Sequence, residues 1–173
     1  MNDELSKAFV TYSADKLQQL ASRIDDCLGR LTEEQVWTRN TENENAIGNL
    51  ALHLCGNVNQ WIGSGVAGRP NTRDRDSEFA ARGSASIPEL RKRVRETIDD
   101  TANVIRGLSA SDLARRTTVQ KYDLTVMEAI YHVVEHFSGH TGQIQFATKL
   151  LTGKDLGYYN HLRGAAAHAD KTP

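Results

Sequence analysis

Apolar residues recur at helical spacing along four long stretches of the chain. The first runs from about Asp3 to Cys27, with Leu17, Leu20, Ile24 and Leu28 on one face. The second begins near Asn45, carries Ile47, Leu50, Leu54, Val58 and Trp61 on one arc, and ends in the glycine-rich stretch after Trp61. The third runs from Ser86 to about Arg106 and stops at Gly107. The fourth opens at Thr125 and ends near Leu151, with Gly153 placed for a C-terminal cap. Polar residues mark the starts: Thr32 with Gln35, Ser86 with Glu89, Ser109 with Asp112 and Thr125 with Glu128 each have the spacing of a capping box. Pro88 falls in the first turn after Ser86, where its missing N–H costs nothing. Thr117 to Asp123 reads as one extended stretch, which cannot make a sheet alone. The pattern predicts an all-α fold, a four-helix bundle with a long connection between helices two and three, as one domain over residues 1–163. The alanine-rich tail, residues 164–173, is expected to be flexible.

Composition narrows the class. A chain of 173 residues can bury a real core without a disulfide or a structural metal. With 39% hydrophobic and 25% charged residues it is neither disordered nor fibrous. Lys and Arg number 21 against 22 Asp and Glu, a net charge of −1 that argues against nucleic acid as a partner. No apolar run approaches the ~20 residues that cross a bilayer, and the opening MNDELSKAFV lacks the basic and apolar parts of a secretory signal. The two cysteines, Cys27 and Cys55, have no CxxC spacing, which points to the reducing cytoplasm and gives neither a catalytic role.

Two motif-like signals lack the context their chemistry needs. Gly63-x-Gly65-x-x-Gly68 spells the dinucleotide fingerprint, but a helix precedes it and a polar loop follows it. Helix termination explains it better. None of the six histidines has a carboxylate three residues upstream, so no di-iron pattern is present, and neither HExxH nor GxSxG occurs.

The histidines are more telling. His132, His136 and His140 lie four apart on the last helix, where neighbours at i and i+4 share a face and can chelate one ion. On a wheel with Ile130 at zero, His140 and His136 fall at about 280° and 240°, on the edge of the apolar arc, and His132 near 200° faces further out. His136 and His140 are therefore the better pair, and His132 is expected to pack or hydrogen-bond beside them. On the second helix His53 lands at about 240° from Ile47, with Asn57 one turn on. A lone histidine on such an edge also suits a hydrogen-bonded core residue, and i,i+4 pairs occur on surfaces by chance. Glu128 is expected to cap its helix, and Trp61 to be core.

The segments AIGNLALHLCGNVNQWI and EAIYHVVEHFSGHTGQI resemble the two signature helices of the DinB-like superfamily of bacterial four-helix bundles. Its recurring histidine on helix two matches His53, and its His-x-x-x-His followed by Gly-Gln matches His136, His140, Gly142 and Gln143. The resemblance extends to about Tyr159, and the stretch from Arg73 to Gly83 is similar to an uncharacterised subgroup. It implies that His53, His136 and His140 bind a divalent metal. It also implies a frequent homodimer, and relatives that are transferases or isomerases using thiols such as bacillithiol or mycothiol.

Three imidazoles leave an ion at least one open position, as in catalytic sites. Zinc or nickel suits the donor set best. Each ligand should donate its second N–H to an oxygen, for which Asn57 and Gln143 are candidates. By the resemblance, the expected activity is metal-assisted transfer of a low-molecular-weight thiol to a small-molecule substrate. The alternatives are a hydrolase using an activated water, with His132 as base, or a non-catalytic metal-binding bundle. Arg73, Arg75 and Arg82 either bind carboxylates of the thiol or substrate, or pair within their own acidic stretch and fix it.

Overall fold

The structure, a computed structural model, describes residues 3–162; the tail expected to be flexible lies outside them. Four long helices form where the apolar spacing places them: α1 (Asp3–Gly29), α3 (Ile47–Val58), α5 (Ile87–Arg106) and α7 (Val126–Thr152). α1 packs along α5 and α7, and α3 lies against the same two helices, so each long helix has two long neighbours. Their facing residues, among them Leu17, Ile24, Leu28, Leu54, Ile62, Leu90, Ile98, Ile105, Ile130, Phe137 and Ile144, are fully buried in one core. Each such side chain contributes roughly 1.5–3 kcal/mol, which is what holds the short connecting elements in place.

The caps do more local work than the sequence reading gave them. Thr32 and Ser109 open short helices, α2 (Glu33–Trp37) and α6 (Ala110–Ala114), rather than long ones. Thr125 accepts from the Glu128 backbone N–H while the Glu128 carboxylate accepts from Thr125, a complete box at the start of α7. α7 ends at Gly153 in the left-handed conformation, φ 65°. Gly107 ends α5 with φ −78°, so it needs no glycine-only geometry.

Two features depart from expectation. Residues 116–125 form a hairpin, β1 (Arg116–Val119) against β2 (Tyr122–Thr125), where a single extended stretch was expected. Its two-residue turn has positive φ at Gln120 and Lys121, the mirror-image turn that matches strand twist, but neither residue is the usual glycine or asparagine. Second, the helical run that α3 begins ends in the glycine-rich stretch, as expected, but its last turns are not α-helical. It widens into a π-helix, Asn59–Val66, which carries the Gly63–Gly65 pair and ends before Gly68 with its positive φ. Such widened turns are rare and cluster at functional sites. Gly65 lets the hairpin approach, since a Cβ there would stand 2.4 Å from Val119 Cγ2.

The long connection between α3 and α5 is tied down by α4 (Arg75–Ala80). Asn49, buried on α3, donates to the carbonyl oxygens of Glu78 at 2.9 Å and Ala81 at 3.0 Å. The connection therefore lies along the polar face of α3.

Candidate metal centre

Asn49, His53, Gly56 and Gln60 recur at three- and four-residue spacing, so they form one polar stripe on α3 and its π-helical extension. His53 is 5% exposed, with its ring 4.7 Å from that of Phe79. Across the bundle, α7 presents His136 and His140, both half-buried. The Nε2 atoms of His53 and His136 stand 3.1 Å apart. One ligating nitrogen from each of His53, His136 and His140 lies within 4.8 Å of the others. For bonds of 2.0–2.1 Å in a tetrahedral site, two nitrogens sit roughly 3.4 Å apart, so the closest pair already has the required spacing.

Second partners select which nitrogen faces inward. The Gln143 amide oxygen accepts from His140 Nδ1 at 2.6 Å, leaving Nε2 as the lone-pair nitrogen. His53 Nδ1 meets Glu78 Oε2 at 3.1 Å, which can only accept from it, and Arg73 Nη2 at 3.0 Å, which can only donate to it; together they hold the ring with Nε2 toward the cluster. These are the carboxylate and amide contacts that orient metal-binding imidazoles. The donor set fits a divalent ion: burial, with the neighbouring histidines adding to it, pushes His136 down to about 3, and burial also lowers His140. Both rings are neutral at physiological pH, as ligation requires.

Glu78, which the sequence reading did not single out, is the best-supported orienting group. It is 8% exposed, and Arg73 clamps it through Nε to Oε1 at 2.8 Å and Nη2 to Oε2 at 2.8 Å. Arg73 Nη1 also donates to Gln60 Oε1 at 2.9 Å. Burial alone would raise the Glu78 carboxyl, but the hydrogen bonds from Arg73 and His53 hold it below the usual carboxylate range. Gly56 makes the room: a Cβ there would fall 1.8 Å from Glu78 Oε1. The only hint in the sequence was a glycine one turn beyond His53, and the partner it admits is 22 residues further along.

The other expected residues divide. His132 stands apart from the three-histidine cluster, its ring 4.0 Å from Trp61 and 5.6 Å from His136. Asn57 is buried, but its Oδ1 has no hydrogen-bond partner among the described residues, so it orients no histidine; His136 Nδ1 is likewise unpartnered. Arg73 belongs to the Glu78 clamp, and Arg82 donates to the carbonyls of Phe79 and Ala81, fixing the loop. Arg75 is exposed and lies 4.8 Å over the Phe79 ring. Of the three arginines, it alone has no oxygen or nitrogen of the described residues holding its guanidinium.

Solved structures share this architecture. A crystal structure of a conserved protein from Enterococcus faecalis matches with a TM-score of 0.71 and 14% identity, covering 83% of this chain and 96% of that one. A DinB-like protein from Bacillus cereus ATCC 10987 matches with a TM-score of 0.63 and 13% identity, covering 79% and 90%. At these identities the likeness is one of fold. No curated protein matches the chain significantly. The arrangement of long helices is thus the DinB-like one, and residues 4–164 match the family described as "Protein of unknown function (DUF1572)", to which this chain belongs.

Proposed function

We propose that this protein is a metal-dependent transferase in which His53, His136 and His140 hold a divalent ion, zinc or nickel, that activates a low-molecular-weight thiol toward an electrophilic small molecule. The observation that carries this reading is the convergence of three imidazole nitrogens from two helices within 4.8 Å. Glu78 and Gln143 turn two of those rings so that Nε2 faces the cluster. A divalent ion bound there supplies an open Lewis-acidic position that lowers the pKa of a coordinated thiol or water.

The surrounding residues favour a thiol over water. A hydrolase needs a free base beside the reacting water, but Glu78, the carboxylate at the triad, is held by Arg73 and His53. His132 is the remaining candidate base, and its ring packs on Trp61 at 4.0 Å, tilted by 32°. A thiol needs only to lose one proton on binding. Arg75, exposed at the edge of the Phe79 ring that covers His53, is placed to meet a carboxylate of such a thiol or of its substrate.

Cobalt(II) substitution tests the reading. Addition of a physiological thiol to the cobalt-loaded protein should produce a sulfur-to-cobalt charge-transfer band, and a thiol-dependent conjugation of an electrophile should follow. Thiol-independent ester or amide hydrolysis would instead establish the water chemistry. A cobalt spectrum that no added ligand changes would leave the ion a structural role and refute the transferase.

A further inference from the structure

A cavity of about 640 Å³ lies between α3 with its π-helical extension, the long connection and α5. Small-molecule sites typically enclose about 300–1,000 Å³. The connection that roofs it is held at both ends: Arg69 pairs with Asp100 of α5, Nη2 to Oδ1 at 3.1 Å, and Asn49 of α3 holds the Ala81 carbonyl at 3.0 Å. The cavity is therefore preformed. None of the three histidines lines it. The Arg73–Glu78 pair does, and stands between the cavity and His53.

The wall carries polar groups that the fold itself does not use. Asn59, Ser64, Thr72 and Ser84 line the cavity, and their side chains have no hydrogen-bond partner among the described residues. Arg93 projects from α5 with its guanidinium equally unpaired among them. Arg73, the other cation on the wall, is neutralised by Glu78. Asp74 caps α4 with Oδ1, which accepts the Ser77 N–H at 3.1 Å, and has Oδ2 left over. Hydroxyls and an amide each donate and accept, which matches the alcohols of a polyol. An apolar occupant would strip these groups of water without replacing its hydrogen bonds. One unpaired guanidinium near a carboxylate suits a single negative charge. A phosphate monoester, at about −1.5 to −2 near neutral pH, would meet Asp74 with only that one cation to hold it. A carboxylate also matches the guanidinium fork, with two N–H groups on two oxygens.

We propose that this cavity binds a small polyhydroxylated carboxylic acid, with Arg93 on the carboxylate and Asn59, Ser64, Thr72, Ser84 and Asp74 on the hydroxyls. Leu52, Ala81 and Ala85 give the carbon skeleton an apolar surface to lie on. The occupant meets the imidazoles only through the Arg73–Glu78 pair, so its binding requires no ion. It is therefore not the thiol proposed for the metal centre, whose sulfur must reach the ion.

D-Gluconate is the probe, titrated into the full, isotope-labelled, metal-free chain and followed by nuclear magnetic resonance. Resonances of the cavity wall should shift and saturate with a Kd at or below about 1 mM. D-Glucose, which lacks the carboxylate, and acetate, which lacks the hydroxyls, should each bind at least about tenfold more weakly. Arg93→Gln should weaken gluconate at least about tenfold, and Ser64→Ala and Thr72→Ala about threefold each. Lys92→Gln, on the same helix but outside the cavity, should change nothing. Gluconate that shifts no wall resonance at about 20 mM overturns the inference. So does an Arg93→Gln chain that binds it as tightly as wild type. Acetate or inorganic phosphate matching gluconate would leave only a surface charge and overturn it too. Because the chain carries no metal in these titrations, their outcome is independent of whether the histidines hold an ion.

Discussion

Gly56→Ala adds one methyl group to the polar stripe of α3 and should disturb the metal centre without touching a histidine. The added Cβ would stand 1.8 Å from Glu78 Oε1, 2.7 Å from Glu78 Cδ and 3.1 Å from Arg73 Nε. Normal contact needs about 3.4 Å or more, so the carboxylate must retreat by roughly 1.5 Å. That movement opens the 2.8 Å bond from Arg73 Nε and the 3.1 Å contact with His53 Nδ1. Overpacking of this kind costs about 1–3 kcal/mol, against about 1 kcal/mol gained by alanine over glycine in a helix. The net stability change is therefore a small loss, while the effect on the ion is larger. Losing an orienting carboxylate typically weakens metal affinity about 10–100-fold. Urea denaturation of the metal-free protein and competition for zinc against a chromophoric chelator measure the two separately. Gly63→Ala is the control: a Cβ there meets nothing within 4 Å, so it should leave affinity unchanged. Equal zinc affinity in wild type and Gly56→Ala would show that Glu78 does not orient His53.

Other consequences are equally direct. Glu78→Gln leaves the Arg73 guanidinium buried without its counter-charge, at about 3–5 kcal/mol at neutral pH by urea denaturation. Because the folded-state pKa of Glu78 is depressed, its contribution is complete above about 4.5 and is lost as pH falls through the folded value; the gap between wild type and variant should narrow there and nowhere else. Cys55 is pushed up to about 11 and Cys27 is also raised, both first by burial. Iodoacetamide at pH 8 should therefore modify neither in the folded chain and both in urea; labelling of the native protein would contradict the packing. With these thiol pKa values raised by folding, stability should fall as pH climbs past 9, where the unfolded thiols ionise first. His132→Ala should retain the bound metal, because the ring lies against Trp61 outside the three-histidine cluster; loss of the ion would mean the wrong pair on α7 was chosen.

The four long helices were legible because each carries an apolar stripe, and α1 and α7 themselves run for 27 residues each. The histidines were legible for the same reason: helical spacing fixes which side chains share a face before any packing is known. What escaped depends on residues distant in sequence. Glu78 reaches His53 only because Asn49 holds the connection by its backbone carbonyls and Gly56 leaves a gap beneath it. The hairpin escaped because its turn residues, Gln120 and Lys121, adopt positive φ without the glycine or asparagine that usually announces it. The π-helix escaped because its glycines read equally well as a helix end, whereas Gly65 is needed for the approach of Val119.

The proposed chemistry rests on His53 of α3 and His136 and His140 of α7 jointly holding one ion. The most direct measurement is the metal content, by mass spectrometry, of tag-free protein equilibrated with zinc and passed through a desalting column. The account predicts one ion per chain in wild type and a sharp loss in each of His53→Ala, His136→Ala and His140→Ala. Equal trace metal in wild type and all three variants would contradict it.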